Sequence, residues 1–435
     1  MLRRARLRGE DRLMSETFDL LVPDQVTLST ASLPERLARL AAARGFPPFA
    51  PELRAFCSGL SGRLLSDAEA RRHPELQVLG YWMRPAATTR LEASVRAGIP
   101  PHIQMMPRGL VFHVPPSNVD TLFIYSWLLS LLAGNRNIVR LSPRRSSQSE
   151  IILRLVADAL ADVPGLAATT MIVSYGHEVA VTAALSRACD MRVVWGGDRT
   201  IERLREVPLA PHAFEIAFAD RFSFSALAAK PVLALTRKAH DQLAEQFFND
   251  VYWFDQMGCA SPHLIVWVGE AGDCMAAATP FYSRLAETAT RKGYAPKAGT
   301  SAAKLAYAYG AAIDLPVTGV ELFGSRLTVL NLSRLHDMRE DVFGAGTLFA
   351  VSVPTLSEVA EFTVRKDQTL THFGFSDAEL IGLAHLLNGR GIDRIVPVGQ
   401  ALAFDRIWDG YDLISEFTRK IAVVPSPAHS SDPNA

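Results

Sequence analysis

From Gly109 onward the chain alternates between two hydrophobic rhythms. GLVFHV (109–114) is a short, apolar, branched run that ends at PPSN and reads as a buried strand. The apolar segment from Leu122 to Ala133, which Asp120 can cap, reads as a helix. IVRL (138–141) predicts a second strand and SSQSEIILRLVADALADV a second helix, and TMIVSY (170–175) and MRVVWG (191–196) predict two more strands, each followed by helix-like sequence. Apolar strands alternating with helices predict a parallel sheet covered on both faces.

Upstream the rhythm is helical. Ser32 and Glu35 have the spacing of a capping box, with Pro34 in the first turn, Leu37 and Leu40 on one face and Gly45 as a stop. Further helical patterns cover Pro51 to Leu65 and Asp67 to Met83. Past Pro231 a helix is predicted over Arg237 to Phe248, then the strand HLIVWV (263–268), a helix through Leu285, and the strands LTVLNL and LFAVSV. The fold class predicted is therefore α/β. The expected organisation is a mostly helical leader over 1–100, packed on a domain over 101–230, then a second α/β domain over 231–405, a return or oligomerisation segment over 406–424, and a disordered tail over 425–435.

Composition narrows the function classes. The 435 residues are 49% hydrophobic, enough for large cores, and 45 basic residues balance 45 acidic ones, so no net field favours nucleic acid or an anionic membrane. The longest apolar run is well short of the roughly 20 residues that span a bilayer. The basic start, MLRRARLRGEDRLM, lacks the apolar stretch of a secretory signal, and Met14 is read as an alternative start. Cysteines at 57, 189, 259 and 274 have neither metal-ligand spacing nor a disulfide framework, so no metal is expected and a reducing, cytoplasmic setting is.

Cys259 stands apart from the other three. In DQMGCASPHLIVWV it follows Gly258 and precedes a buried strand by a few residues, on a turn that can expose sulfur and aim backbone N–H groups at a reacting oxygen. Taken alone it reads rather as a small buried hydrophobe. Asn118, where a strand gives way to a helix, is a candidate oxyanion donor or a turn and cap residue. WGGDRTIERL places Gly196, Gly197 and Asp198 at a strand-to-helix turn, suited to a phosphate or simply a tight turn. No G-x-G-x-x-G and no G-K-[ST] loop is present.

In chain order, HVPPSNVD, LLAGNRNIVRLSP, VVWGGD, DQMGCASP and DVFGAGTLFAV resemble the aldehyde dehydrogenase superfamily from about residue 105 to 405. PRGLVFHVPPSNVDTLF (107–123), VVWGGDRTI (193–201), DQMGCASP (255–262) and, most specifically, DRIVPVGQALAFDRIWDGYDLI (393–414) resemble the LuxC-type acyl-CoA reductases within it. The resemblance implies an aldehyde dehydrogenase-like fold, with a Rossmann-like cofactor domain and an α/β catalytic domain. It implies Cys259 as the acylated nucleophile and Asn118 as the oxyanion donor. Arg140 falls at the lysine position of the A-G-N-x-V-x-K-like strand. With Ser142, Arg144 and Arg145 it suits the 2′-phosphate of NADPH, in preference to NAD, or forms a solvated basic loop. Asp341 and Phe343 fall in the E-x-F-G loop, where the carboxylate binds a ribose hydroxyl or caps a turn.

One departure from the oxidative family pattern bears on chemistry. Ala217, in AFADRFSF (217–224), falls at the place of the glutamate that activates water in ordinary aldehyde dehydrogenases, with Glu215 two residues earlier. The expected reaction is reduction of an acyl thioester, with a CoA thioester as co-substrate, to an aldehyde. The alternatives are CoA-acylating or hydrolytic aldehyde oxidation, the latter using Glu215, and acyl transfer without hydride chemistry. An acyl synthetase or acyl carrier protein is the expected partner, and the expected assembly is a homo-oligomer.

Overall fold

The computed structural model describes residues 17–116, 121–176 and 178–424. Asn118, the predicted cap Asp120, the basic start and the expected disordered tail lie outside the described residues. The chain divides into two compact units, Met1–Ala219 with Tyr411–Ala435, and Asp220–Gly410.

The strands of the first unit are β1 (Thr17–Val22), β2 (Val26–Ser29), β3 (Ile103–Pro107), β4 (Leu110–Val114), β5 (Arg136–Leu141), β6 (Thr170–Ser174), β7 (Met191–Trp195) and β8 (Phe214–Phe218). Seven of them form one sheet in the order β2-β1-β6-β5-β4-β7-β8. From β6 to β8 neighbouring strands are parallel, as the alternating pattern predicts. Chain order runs β4, β5, β6 in one direction and resumes with β7 on the other flank of β4, which makes the β4/β7 junction a topological switch point. β3 stays outside this sheet and pairs antiparallel with Thr418–Ala422.

The helix Thr121–Leu132, which follows β4, is buried on every side. Its Trp127 meets Phe56 edge-on at 5.7 Å. The described part of the leader is mostly helical, with three departures from the sequence pattern. β1 and β2 form an antiparallel pair that extends the sheet beyond β6, the alternating burial of β1 showing its strand character. The expected capping box at Ser32 is not formed: Ser32 is already helical, its hydroxyl donates to Ser29 O at 2.8 Å, and Ser29 caps a short turn ahead of the helix. The pattern over Asp67 to Met83 is also interrupted, because Pro74 starts a fresh helix, Pro74–Trp82, after a 3-10 turn at Ala70–Arg72.

The second unit has β9 (Phe222–Ala228), β10 (Pro262–Val268), β11 (Val317–Phe323), β12 (Leu327–Leu332), β13 (Thr347–Val353), β14 (Asp367–Phe373) and β15 (Arg394–Pro397). They form a sheet in the order β11-β12-β13-β10-β9-β14-β15, parallel except for the edge strand β11. Separate apolar clusters cover its faces, one around Phe247, Trp267 and Phe281, the other around Phe224, Leu330 and Phe349. The α/β class is as predicted.

Because Trp127 is wholly buried, Trp127→Ala is expected to lower stability by about 3–5 kcal/mol. A fall in the denaturant midpoint checks this.

Candidate active site

Cys259 sits in the second unit, on the loop that leads into the amino end of β10. The helix Arg237–Tyr252 ends just before it, and Phe254, Asp255 and Gln256 follow with φ of 55°, 54° and 65°. Three successive non-glycine residues in the left-handed region cost on the order of 1–3 kcal/mol each and persist only where the surroundings over-determine them. Gln256 provides that. Its buried amide nitrogen donates to Pro262 O at 2.9 Å and Thr347 O at 3.0 Å, and its oxygen accepts from Gly346 N at 3.0 Å and Thr347 N at 3.2 Å. One side chain thereby ties the Cys259 loop to the entry of β13. Asp255 adds two ties: its carbonyl accepts from Ala345 N at 3.2 Å, and its carboxylate accepts from the Tyr294 hydroxyl.

The loop on the other side of these ties carries Asp341 and Phe343. The buried Lys304 ammonium donates to Ser325 O at 2.7 Å and Ala345 O at 2.8 Å, and burial lowers its pKa to about 8. Tyr307 donates to Asp341 O at 2.7 Å, and its ring lies 5.4 Å from Phe343. His263, pushed down to about 4 by burial, bonds to the Phe343 backbone. The Asp341 side chain is exposed.

At the thiol, Ser223 Oγ donates to Cys259 O at 2.7 Å and accepts from Thr369 N at 3.2 Å, fixing the loop to β9 and β14. Gln368 Nε2, from β14, donates to Cys259 Sγ at 3.4 Å. Cys259 keeps part of its surface accessible, yet burial of the sulfur pushes the thiol up to about 12. The negative charge of Asp409 adds to that rise, while the Gln368 N–H, Arg394 and the Cys259 backbone N–H oppose it. Cys57, Cys189 and Cys274 are fully buried.

The first unit holds a cavity of about 990 Å³ beyond the carboxyl ends of its parallel strands, at the switch point. Its lining brings together Arg140, Ser142, Arg144, Gly196 and Gly197 with Trp195 and Arg203. Asp198 begins the helix Asp198–Arg205 and is exposed, outside this lining. Arg140 spends Nη2 on the carbonyls of Tyr175 (3.2 Å) and Gly176 (2.5 Å), while its buried Nε has no hydrogen-bond partner among the described residues. Arg144 is exposed, its N–H donating to Ser142 Oγ at 3.2 Å. Arg145 turns to Glu150 at 2.6 Å and lines a different cavity, with Asp19 and Arg154. A Cβ built on Gly197 would meet nothing within 4 Å, so the helix start is open to an approaching ligand.

Glu215 also lies in this unit, on β8. Its two carboxylate oxygens are taken by Arg192, at 2.7 Å, and Arg205, at 3.0 Å. Ala217, two residues on, offers only a methyl group. Pattern reasoning assigned no role to Gln256, Gln368, Asp409 or Lys304. Gln256 and Asp409 stand in segments already singled out, DQMGCASP and IWDGYD, but Gln368 carries no local signal, because it meets Cys259 only through the pairing of β14 with β9.

A cavity at the switch point of one α/β sheet and a pinned thiol on the other are the frame of an enzyme that acts on acyl or aldehyde groups, the class to which the family match assigns the chain. Residues 99–420 match the family described as "Acyl-CoA reductase (LuxC)", and the chain belongs to that family. In fold it is similar to PnpE from Pseudomonas sp. WBC-3, with 14% identity, 96% of each chain covered and a TM-score of 0.62. It is similar also to aldehyde dehydrogenase 21 from Physcomitrella patens, with 11% identity, 90% and 89% covered and a TM-score of 0.64. A benzaldehyde dehydrogenase from Corynebacterium glutamicum shows 13% identity, 93% of each chain covered and a TM-score of 0.60. No curated protein sequence matches the chain.

Gln256→Ala would remove the side-chain hydrogen bonds to Pro262 O, Thr347 O, Gly346 N and Thr347 N, of which Thr347 N keeps Gly344 O at 3.2 Å, and each buried group left without a partner costs about 1–3 kcal/mol. The expected result is a drop of several kcal/mol in unfolding free energy, measured by denaturant titration.

Proposed function

We propose that the chain reduces an acyl thioester, on CoA or on a carrier, to an aldehyde through an acyl-enzyme at Cys259. Family membership supports acyl chemistry. The state of Glu215 carries the choice of reduction over hydrolysis: both its oxygens are held by arginines, so it is not free to activate water. A thioester on Cys259 is then protected from hydrolysis and persists for reduction.

In this reading the Cys259 thiolate adds to the acyl carbonyl, and the C–S bond to the carrier thiol breaks, that thiol leaving with a proton. Asn118 and the Cys259 backbone N–H donate to the oxyanion. A nicotinamide nucleotide, when bound, supplies the hydride that reduces the acyl carbon. The resulting thiohemiacetal loses its hydroxyl proton, the C–S bond to Cys259 breaks, and aldehyde and thiolate are released. Burial opposes the thiolate, so the donors around Sγ decide how fast the first step runs.

The first unit fits a nucleotide on its own evidence: a cavity of adequate volume, an open helix start at Gly197, and the unpartnered Nε of Arg140. Arg144 and Ser142, in the lining of this cavity, are assigned to the 2′-phosphate of NADPH in preference to NADH. Asp341 is assigned to a ribose hydroxyl.

Cys259→Ala is expected to abolish aldehyde formation from acyl-CoA and NADPH while leaving nucleotide binding intact, read by trapped aldehyde and by nucleotide fluorescence. Persistent aldehyde would remove Cys259 from its role. Arg144→Glu is expected to raise KM for NADPH about tenfold or more with little change for NADH. Equal shifts for both would overturn the 2′-phosphate assignment.

A further inference from the structure

The segment most specific to the family, 393–414, carries no role in the reaction as described so far, yet it supplies two groups that surround the thiol. The main chain at Asp409 has φ of 48° and continues into Gly410 at 78°, a turn that tucks the Asp409 side chain inside the protein, 2% exposed. There Asp409 Oδ1 accepts a hydrogen bond from Gln368 Nε2, the same nitrogen that donates to Cys259 Sγ at 3.4 Å. An amide nitrogen has two protons, and here one goes to a carboxylate and the other to sulfur.

This sharing fixes the amide. Turned over, Gln368 would present its carbonyl oxygen to the Asp409 carboxylate and to the sulfur, with no proton for either. In the orientation present, Gln368 Oε1 is buried without a partner, so the side chain gives up a hydrogen bond of its own to keep both protons on the Asp409 and Cys259 side. Arg221 lies on the far side of Asp409, its Nε 3.5 Å from Oδ2, and is held by donation to Arg365 O at 2.7 Å. It offsets a carboxylate charge that would otherwise disfavour a neighbouring thiolate.

We propose that Asp409, paired with Arg221, acts as a positioning residue that orients Gln368 to donate an N–H to the Cys259 sulfur and so eases ionisation of the buried thiol when it attacks. The inference rests on the reading of Cys259 as the nucleophile. The groups that bear on Cys259 are Gln368 and Asp409 together with Arg394 of β15, and those that bear on Asp409 are Arg221, Gln368 and Asp393. Arg394 is fixed over the Trp408 ring at 4.6 Å and donates to the carbonyls of Ala401 and Ala403, so its charge stays in place when Asp409 is changed.

The relay makes a prediction opposite in sign to simple electrostatics. Deleting a negative charge beside a thiol should by itself ease ionisation. If Asp409 works by orienting the amide, its loss should instead hinder ionisation. The experiment is the pH profile of Cys259 alkylation by iodoacetamide in the full chain, read on the Cys259 peptide by mass spectrometry, in variants confirmed folded by circular dichroism. Gln368→Met is expected to shift the midpoint upward and to reduce alkylation at a fixed pH below it about tenfold or more, the scale of a hydrogen bond to a charged group. Asp409→Leu is expected to shift it upward as well. Where Asp409→Leu does not fold, Asp409→Ser, too short to reach the amide, takes its place with the same expectation, and Arg221→Gln does so where Gln368→Met does not fold.

Both main variants should lower kcat and leave KM for the acyl thioester little changed. An unshifted profile in folded Gln368→Met, or a downward shift in folded Asp409→Leu, overturns the relay. Alkylation needs no turnover, so this result stands apart from the functional reading, which falls separately if Cys259→Ala still makes aldehyde.

Discussion

The buried amide of Gln256 is the contact on which the rest of the candidate site depends. A nucleophile on a loop is useful only if the loop has one conformation, and the conformation here is unfavourable in itself, with three left-handed residues in succession. Four hydrogen bonds from one side chain hold it there, and because they end on the main chain at Pro262, Gly346 and Thr347, they also set where β10 and β13 begin. Loop shape and sheet register are thus fixed by the same group. Lys304 completes the arrangement from below by holding Ala345 and Ser325 through their carbonyls.

Around the sulfur the balance is between desolvation and hydrogen bonding. Burial favours the neutral thiol, and each N–H aimed at the sulfur favours the anion. In the first unit Glu215 is likewise engaged, one carboxylate oxygen on Arg192 at 2.7 Å and the other on Arg205 at 3.0 Å.

Much of the architecture could be read from the chain because its signals are local. Runs such as MRVVW and HLIVWV are mostly apolar, as strands covered on both faces are, and both are interior strands of their sheets. The strand pair at 17–29 escaped because it is short, half exposed and next to a strongly helical stretch, and its place is set by pairing with β6, far along the chain. Ser32 shows the reverse failure: a correct spacing whose hydroxyl found a nearer acceptor in Ser29 O. In the site, Cys259 was legible because glycine, cysteine and the following strand are contiguous. The cavity residues Arg140, Ser142, Arg144, Gly196 and Gly197 were legible because they lie at or just beyond the carboxyl ends of β5 and β7. Asp198 and Arg145 were neighbours in sequence that helix and loop geometry turn elsewhere. Gln368 lay beyond reach, since no pattern within one strand says which residue faces it from the next.

The two sheets use opposite edges. In the first unit the cavity opens where strands finish, the usual place for a ligand in a parallel sheet. In the second, Cys259, Ser223, Gln368 and Arg394 all stand where strands start. A residue at the start of a strand is held by the pairing that follows it, so its position is inherited from the frame and not from a variable loop. The chemistry of the second unit is therefore tied to strand register: a slip of one residue in β14 against β9 would turn Gln368 to the opposite face and unmake the site while leaving the sheet itself whole.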